Sequence, residues 1–242
     1  MSPRPRVTLF PTCLADRFYA DAVADTVRIL RHLDVEVTVP AGATCCGQPA
    51  YNAGHRPEAV RVLRHAVDVL ADAEHVVAPS GSCAAMLRHH APELLTGRDA
   101  ERARAVASRT RELTQFLVEV LGAPSLGRGL RGRRIAYHHG CHALRTLGIR
   151  DQPVRLLRDA GAEVVEWTTD QECCGFGGLF SVKLPDVSAA MADRKLVTLP
   201  ADVDLVTSAD GGCLMQLGGR AGRTGPNVPF RHVASVLWEA TR

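Results

Sequence analysis

The chain has 242 residues, of which 46% are hydrophobic and 23% charged, and its formal net charge is +3. This length and hydrophobic content predict a globular protein with one large domain or two smaller ones. The slight excess of positive charge is too small to indicate a nucleic-acid-binding protein.

The sequence offers no signal for a membrane span or for export. No hydrophobic run approaches the roughly 18 residues that a membrane span needs. The first residues, MSPRPRVTLF, lack the apolar core of a signal peptide. We therefore expect a cytoplasmic protein.

Predicted strands and helices alternate along the chain, in the same order in its two halves. Three strand-like runs, VTLF, VEVTVP and HVVA, are separated in the first half by an amphipathic helix and a second helix around 57–72. The second half repeats this order with RIAY, AEVVEWT and VDLVTS, and its second helix lies around 186–198. This order predicts an α/β fold of two similar β-α-β-α-β halves, with short parallel sheets, related by internal duplication.

The segment between the halves is rich in arginine. Residues 98–121 are predicted to form one connecting helix, and GRGLRGRR at 127–134 is typical of a solvated linker. We therefore divide the chain into a first cysteine-rich unit (1–97), a connecting helix and linker (98–132) and a second cysteine-rich unit (133–242).

Eight cysteines repeat one spacing in both halves. Each half reads C-x31-CC, and a fourth cysteine follows after 36 further residues in the first half and after 38 in the second. Because the carboxyl ends of parallel strands meet at one edge of a sheet, we expect the four cysteines of each half to converge there. The two sets, at offsets of 128, 128, 128 and 130 residues, are Cys13, Cys45, Cys46 and Cys83, then Cys141, Cys173, Cys174 and Cys213.

Four thiolates per half are enough for an iron–sulfur cluster or for a structural zinc ion. Successive strand side chains point to opposite faces, so Cys45 and Cys46 bind one centre only if the chain bends there. Gly47 and Gly175, which follow the doublets, supply backbone that permits such a bend. Neighbouring sulfurs suit a multi-iron centre better than a single ion, and the sequence lacks the C-x2-C pairs typical of zinc. An iron–sulfur cluster is favoured, with zinc in one half as the alternative.

Specific motifs extend over almost the whole chain: CCGQPAYNAGH, PSGSC, CCGFGGLFSVK and GCLMQLGGR. They resemble the lactate utilization protein A family, whose duplicated cysteine-rich CCG domain also occurs in the CCG-containing subunit of heterodisulfide reductase and in the glycolate oxidase iron–sulfur subunit. The resemblance implies an iron–sulfur protein with [4Fe-4S]-type clusters, one or two per chain. It further implies an electron-transferring oxidoreductase subunit that works with two partner subunits, LutB-like and LutC-like, to oxidise L-lactate to pyruvate.

The chain departs from this pattern at one position in each half. The heterodisulfide reductase motif ends in C-x-x-C, but the first of these positions is Ser80 in one half and Asp210 in the other. Each half therefore offers four thiolates and not five. Ser80 and Asp210 are candidate oxygen ligands of the cofactor.

Three alternative functions stay open. The metal centres could themselves act on another 2-hydroxy acid or on a disulfide substrate, the doublets could act as thiol switches, or zinc could make the chain a structural scaffold subunit. Neither a P-loop nor a dinucleotide fingerprint occurs in the sequence, since Phe180 stands where the last glycine of that fingerprint belongs. For catalysis at the centres, the candidate proton carriers are His138, His139, His142, His55 and His232.

Overall fold

Two parallel β-sheets of four strands each form the framework of the protein. The computed structural model describes residues 4–242, apart from the side chain of Thr224. The strand orders are β2-β1-β3-β4 and β6-β5-β7-β8. The strands are β1 (Arg6–Leu9), β2 (Glu36–Thr38), β3 (His75–Ala78), β4 (Thr110–Glu112), β5 (Arg134–Tyr137), β6 (Glu163–Val165), β7 (Leu205–Ser208) and β8 (Phe230–His232). The prediction of two similar α/β halves with short parallel sheets is confirmed.

Helices connect the strands of each sheet. In the first half they are α1 (Cys13–Phe18), α2 (Ala20–His32), α3 (Gln48–Asn52), α4 (Arg56–Val69), α5 (Gly81–Ala85), α6 (Ala91–Leu94), α7 (Gly97–Arg109) and α8 (Leu113–Gln115), with π-helical segments at Met86–His90 and Phe116–Val120. In the second half they are α9 (Asp151–Asp159), α10 (Leu179–Lys183), α11 (Pro185–Leu196), α12 (Gly211–Thr224) and α13 (Val233–Glu239), with a π-helical segment at His142–Thr146. None of the helices formed by residues 4–242 combines the length and the hydrophobicity that crossing a bilayer requires.

Each sheet has a fourth strand that the sequence pattern did not predict. The prediction of one helix over residues 98–121 is wrong, because β4 separates α7 from α8. The Thr110 hydroxyl donates to the Val106 carbonyl at 2.8 Å as the chain leaves α7. Two residues later, the Glu112 carboxylate accepts from the Thr114 N–H at 2.8 Å and caps α8. The division into units 1–97, 98–132 and 133–242 stays a prediction.

One of the hydrophobic clusters spans both halves of the chain. A single cluster of buried side chains includes Leu9 from β1 and Ile135 from β5. The helix α13, which follows the last strand of the second sheet, packs against α2 of the first half. In the same way α8 packs against α9 of the second half. Because each half contributes a helix to the other, the carboxyl ends of the two sheets are held close together.

Candidate metal centre

The four cysteines of each half converge beyond the carboxyl ends of the strands. Cys13 Sγ lies 3.7 Å from Cys45 Sγ, and Cys46 Sγ lies 3.4 Å from Cys83 Sγ. These separations bring the sulfurs of each pair close enough to bind one metal centre. In the second half the thiols are in contact in the same order, Cys141 with Cys173, Cys173 with Cys174 and Cys174 with Cys213.

A left-handed glycine bends the chain after each doublet. Gly47 has φ +84° and Gly175 has φ +87°, conformations that residues with a Cβ adopt only with strain. The bend aims the Gly47 N–H at Cys45 Sγ, 3.4 Å away, and the Gly175 N–H at Cys173 Sγ, 3.5 Å away. Backbone donors thus point at a sulfur in both halves, and the bend expected from the doublet is present twice.

One thiol in each half has a lowered pKa. Hydrogen bonds from the Cys13 and Cys46 thiols hold the pKa of Cys45 well below its ordinary value. A hydrogen bond from the Cys141 thiol likewise lowers the pKa of Cys173 to about 2. The pKa of Cys13 is raised, chiefly because its thiol donates to Cys45. Sulfur that ionises readily is the form that binds metal.

Seven of the eight cysteines, all but Cys45, line one cavity of about 630 Å³. A Cβ placed on Gly81 would lie 2.5 Å from Ala143 Cβ, so the start of α5 packs tightly on the segment that follows Cys141. Correspondingly, a Cβ on Gly211, at the start of α12, would lie 3.2 Å from the ring of Tyr19. Each half thus packs against the other next to its own cysteines, and the cavity lies between the halves.

Ser80 and Asp210 contact each other across the boundary between the halves. Both are buried, with 6% and 5% of their surface exposed, and both line the cavity. The Ser80 hydroxyl donates to Asp210 Oδ1 at 3.0 Å, and the Ser82 N–H donates to the same oxygen at 2.9 Å. Ser80 Oγ also accepts from the Cys83 N–H at 3.3 Å and caps α5. Their proposed role as cofactor ligands stays a prediction.

The five candidate histidines occupy four kinds of position. His142 and His55 line the cavity, and His142 Nε2 accepts from the Gln48 amide across it at 2.9 Å. His232 is buried beneath the Ser80–Asp210 contact, where its Nε2–H lies 3.0 Å from the Pro79 carbonyl oxygen and 3.1 Å from that of Ala209. His139 Nε2 lies 3.7 Å from an Asp170 carboxylate oxygen. His138 is fully buried beside the second cysteine set.

The second set also has a charged neighbour that sequence reasoning missed. Lys195, on α11, is fully buried, donates to the Thr169 carbonyl, and lies 4.5 Å from the centroid of the Trp167 ring. Burial lowers its pKa to about 8, whereas the nearby Cys174 and Cys213 act in the opposite direction. The matching helix α4 has only apolar buried residues. Comparing the two helices in the repeat would have revealed the lysine.

Comparison with known proteins finds the same division into two four-cysteine sets. The cysteine-rich domain family CCG matches residues 7–88 and again residues 135–218, so each match contains one complete four-cysteine set. The lactate utilization protein A of Geobacillus kaustophilus is 45% identical over 237 residues, covering 96% of this chain and 98% of its own length. The chain belongs to the lactate utilization protein A family. Proteins of the same name from Geobacillus thermodenitrificans and Anoxybacillus flavithermus are 44% and 43% identical, each over 96% of this chain and 98% of the relative.

The donor set of this lactate utilization protein A family member fits a thiophilic metal centre. Each half brings together four sulfurs, one of them readily ionised, and backbone N–H groups point at the doublet sulfurs. The Phe176 N–H adds a further donor, 3.5 Å from Cys174 Sγ. Such a sulfur-rich, hydrogen-bonded and partly buried environment is typical of iron–sulfur and zinc sites.

Proposed function

We propose that this protein is the iron–sulfur subunit of an L-lactate-oxidising complex and transfers the electrons that are released as lactate becomes pyruvate. The observation that carries the proposal is the convergence of two four-cysteine sets beside one cavity, which seven of the eight cysteines line. Membership of a family named for lactate utilization supports lactate as the substrate of the complex.

The chain's own residues would bind and tune the centres. Iron–sulfur clusters of the [4Fe-4S] type, when bound, would supply one-electron chemistry. The eight cysteine sulfurs would hold them, and Ser80 and Asp210 are the proposed oxygen ligands. The N–H groups of Gly47 and Gly175 would stabilise the negative charge on the sulfurs, which favours the reduced state.

Other parts of the reaction belong to partners in this proposal. The sequence carries neither a dinucleotide fingerprint nor a P-loop, so we assign the acceptor of the lactate hydride to the LutB-like and LutC-like subunits. We place the complex in the cytoplasm. The protein is then an oxidoreductase subunit and not a complete enzyme.

The shared cavity favours a second function, direct catalysis at the metal centres. Its volume of about 630 Å³ would accommodate a 2-hydroxy acid or a small disulfide substrate in reach of both cysteine sets. His142 lies on the cavity wall and is held by Gln48, so its imidazole is positioned to exchange a proton with such a ligand. This function differs from electron transfer in requiring substrate to contact this chain.

Anaerobic reduction experiments separate the two functions. The purified chain, alone and with its two partner subunits, is mixed with L-lactate, and bleaching of its visible absorbance is followed, with dithionite as the positive control. Electron transfer predicts that dithionite bleaches both samples and that L-lactate bleaches only the complete complex. Bleaching of the isolated chain by L-lactate would support direct catalysis. A complete complex that stays oxidised with lactate would contradict both functions.

A matched pair of variants assigns the reduced centre. Cys46→Ser removes a sulfur from the first set and Cys174→Ser removes the equivalent sulfur from the second. In the complete complex, each variant should keep only the lactate-dependent signal of its intact set. A double variant that still bleached like the unsubstituted chain would show that the signal arises in the partners.

A further inference from the structure

The two cysteine sets differ in the residue that lies directly beneath them. Phe10 follows β1 and His138 follows β5, and both side chains are fully buried. Their backbones are equivalent, because the Phe10 N–H donates to the Val77 carbonyl at 2.9 Å and the His138 N–H donates to the Thr207 carbonyl at 2.8 Å. The first half therefore has a benzene ring at this position, in one buried cluster with Cys46 and Cys83, and the second half has an imidazole there.

His138 directs one nitrogen at the second cysteine set. One of its ring nitrogens and the sulfurs of Cys174 and Cys213 all lie within 4.8 Å of one another. Its Nε2 is buried and has no hydrogen-bond partner among residues 4–242. A buried polar atom without a partner is unusual in a folded protein and indicates that a further group is bound there.

The other ring nitrogen fixes the tautomer of the neutral imidazole. His138 Nδ1 lies 3.0 Å from the carbonyl oxygen of Asp170, which can only accept a hydrogen bond. In the neutral ring Nδ1 therefore carries the proton, and Nε2 is the nitrogen whose lone pair can bind a further group. Histidines that bind metal usually donate their second ring N–H to a carbonyl or carboxylate in this manner.

We propose that His138 Nε2 is a nitrogen ligand of the second metal centre, beside Cys174 and Cys213, whereas the first centre has no nitrogen ligand at the equivalent position. The proposal rests on the metal centres of the proposed function but holds for iron–sulfur and zinc alike.

Isotope labelling tests the nitrogen ligand without any substitution. The protein is produced with 15N-histidine, loaded anaerobically and reduced, and its nitrogen hyperfine couplings are measured by pulsed electron paramagnetic resonance. A second sample loaded with Co²⁺ alone gives the same readout where the native metal is zinc. A directly bound imidazole predicts a strong coupling that changes with the isotope. Absence of such a coupling from both samples would overturn the proposal.

Variants then assign the coupling to one histidine. His138→Phe installs the residue of the first half and should abolish the coupling, while His142→Phe, at the other histidine near these cysteines, should retain it. Cys174→Ser, in which the first set is intact, should also lack the coupling. A coupling lost in His142→Phe and kept in His138→Phe would refute the assignment. Iron and sulfide analysis of the same samples tests the proposed function separately, since the labelled Co²⁺ sample reports on the ligand whether or not iron is bound.

Discussion

Replacing Asp210 with alanine should weaken the contact between the two halves of the chain. Asp210 Oδ1 accepts hydrogen bonds from the Ser80 hydroxyl and from the Ser82 N–H, both of which belong to the other half. The substitution leaves these two donors without their acceptor in a buried position. Asp210→Asn is the matched control, because its amide oxygen can accept both bonds.

The expected loss follows from the number and kind of bonds. A hydrogen bond to a charged group contributes about 1.5–3 kcal/mol, so two bonds amount to about 3–6 kcal/mol. Part of this loss is offset because the variant no longer buries a carboxylate. We expect Asp210→Ala to lower the free energy of unfolding by about 2–4 kcal/mol. In a chain of this size that corresponds to a fall in Tm of roughly 5–15 °C.

Thermal unfolding of the metal-free, fully reduced protein measures this effect without a contribution from metal binding. Ser80→Ala keeps the hydrogen bond from Ser82 to Asp210, so its Tm should lie between those of Asp210→Ala and Asp210→Asn. An alanine variant as stable as the asparagine variant would refute the reasoning. On metal-loaded protein, a spectrum of the second centre that changes in Asp210→Ala more than the first centre changes in Ser80→Ala would support Asp210 as a ligand.

Three further sets of substitutions test the glycine bend, a buried carboxyl and the cysteine sets. Gly175→Ala should lower the free energy of unfolding by at least about 2 kcal/mol more than Gly54→Ala, which is roughly the cost of a backbone clash. Both glycines have positive φ, but of the two only Gly175 would place a Cβ against a carbonyl oxygen, at 2.6 Å. Equal Tm values for the two variants would contradict this. Burial raises the pKa of Glu112 to about 7, above the ordinary carboxyl value of 4.5. The neutral form of Glu112 therefore adds about 3 kcal/mol to the free energy of unfolding below pH 4.5, and this contribution is lost as the pH rises through 7. Glu112→Gln should flatten the dependence of Tm on pH between about 5 and 8. A variant with the same dependence of Tm on pH as the unsubstituted chain would refute the raised pKa of Glu112. Cys46→Ser and Cys174→Ser should each lose the metal of one half and keep that of the other, as metal analysis per chain would show; full metal in both would exclude the two sulfurs as ligands.

The repeated spacing of the cysteines was enough to predict the duplication and the convergence of each set. It works because parallel strands place their carboxyl ends at one edge, so residues such as Cys13 and Cys83, far apart in sequence, meet there. The fourth strands could not be predicted in the same way. Thr110–Glu112 and Phe230–His232 read TRE and FRH, so they lack the hydrophobic run by which the sequence indicated the other strands.

The sequence pattern could not predict how the two halves pack against each other. A repeat states that two units are alike, but it carries no information on which surfaces they press together. The contact between Ser80 and Asp210, and the single cavity that both sets share, depend on that packing. The asymmetry between His138 and Phe10, by contrast, was readable from the repeat, since the two positions are 128 residues apart.

The proposed function depends on iron–sulfur clusters that the eight cysteines bind. The most direct test measures iron, zinc and acid-labile sulfide per chain on anaerobically purified protein, with electron paramagnetic resonance spectra before and after reduction. We predict iron and sulfide in equal amounts, about four or eight of each per chain, and a spectrum that changes on reduction. Zinc without sulfide would contradict the proposed function and would make the two cysteine sets structural.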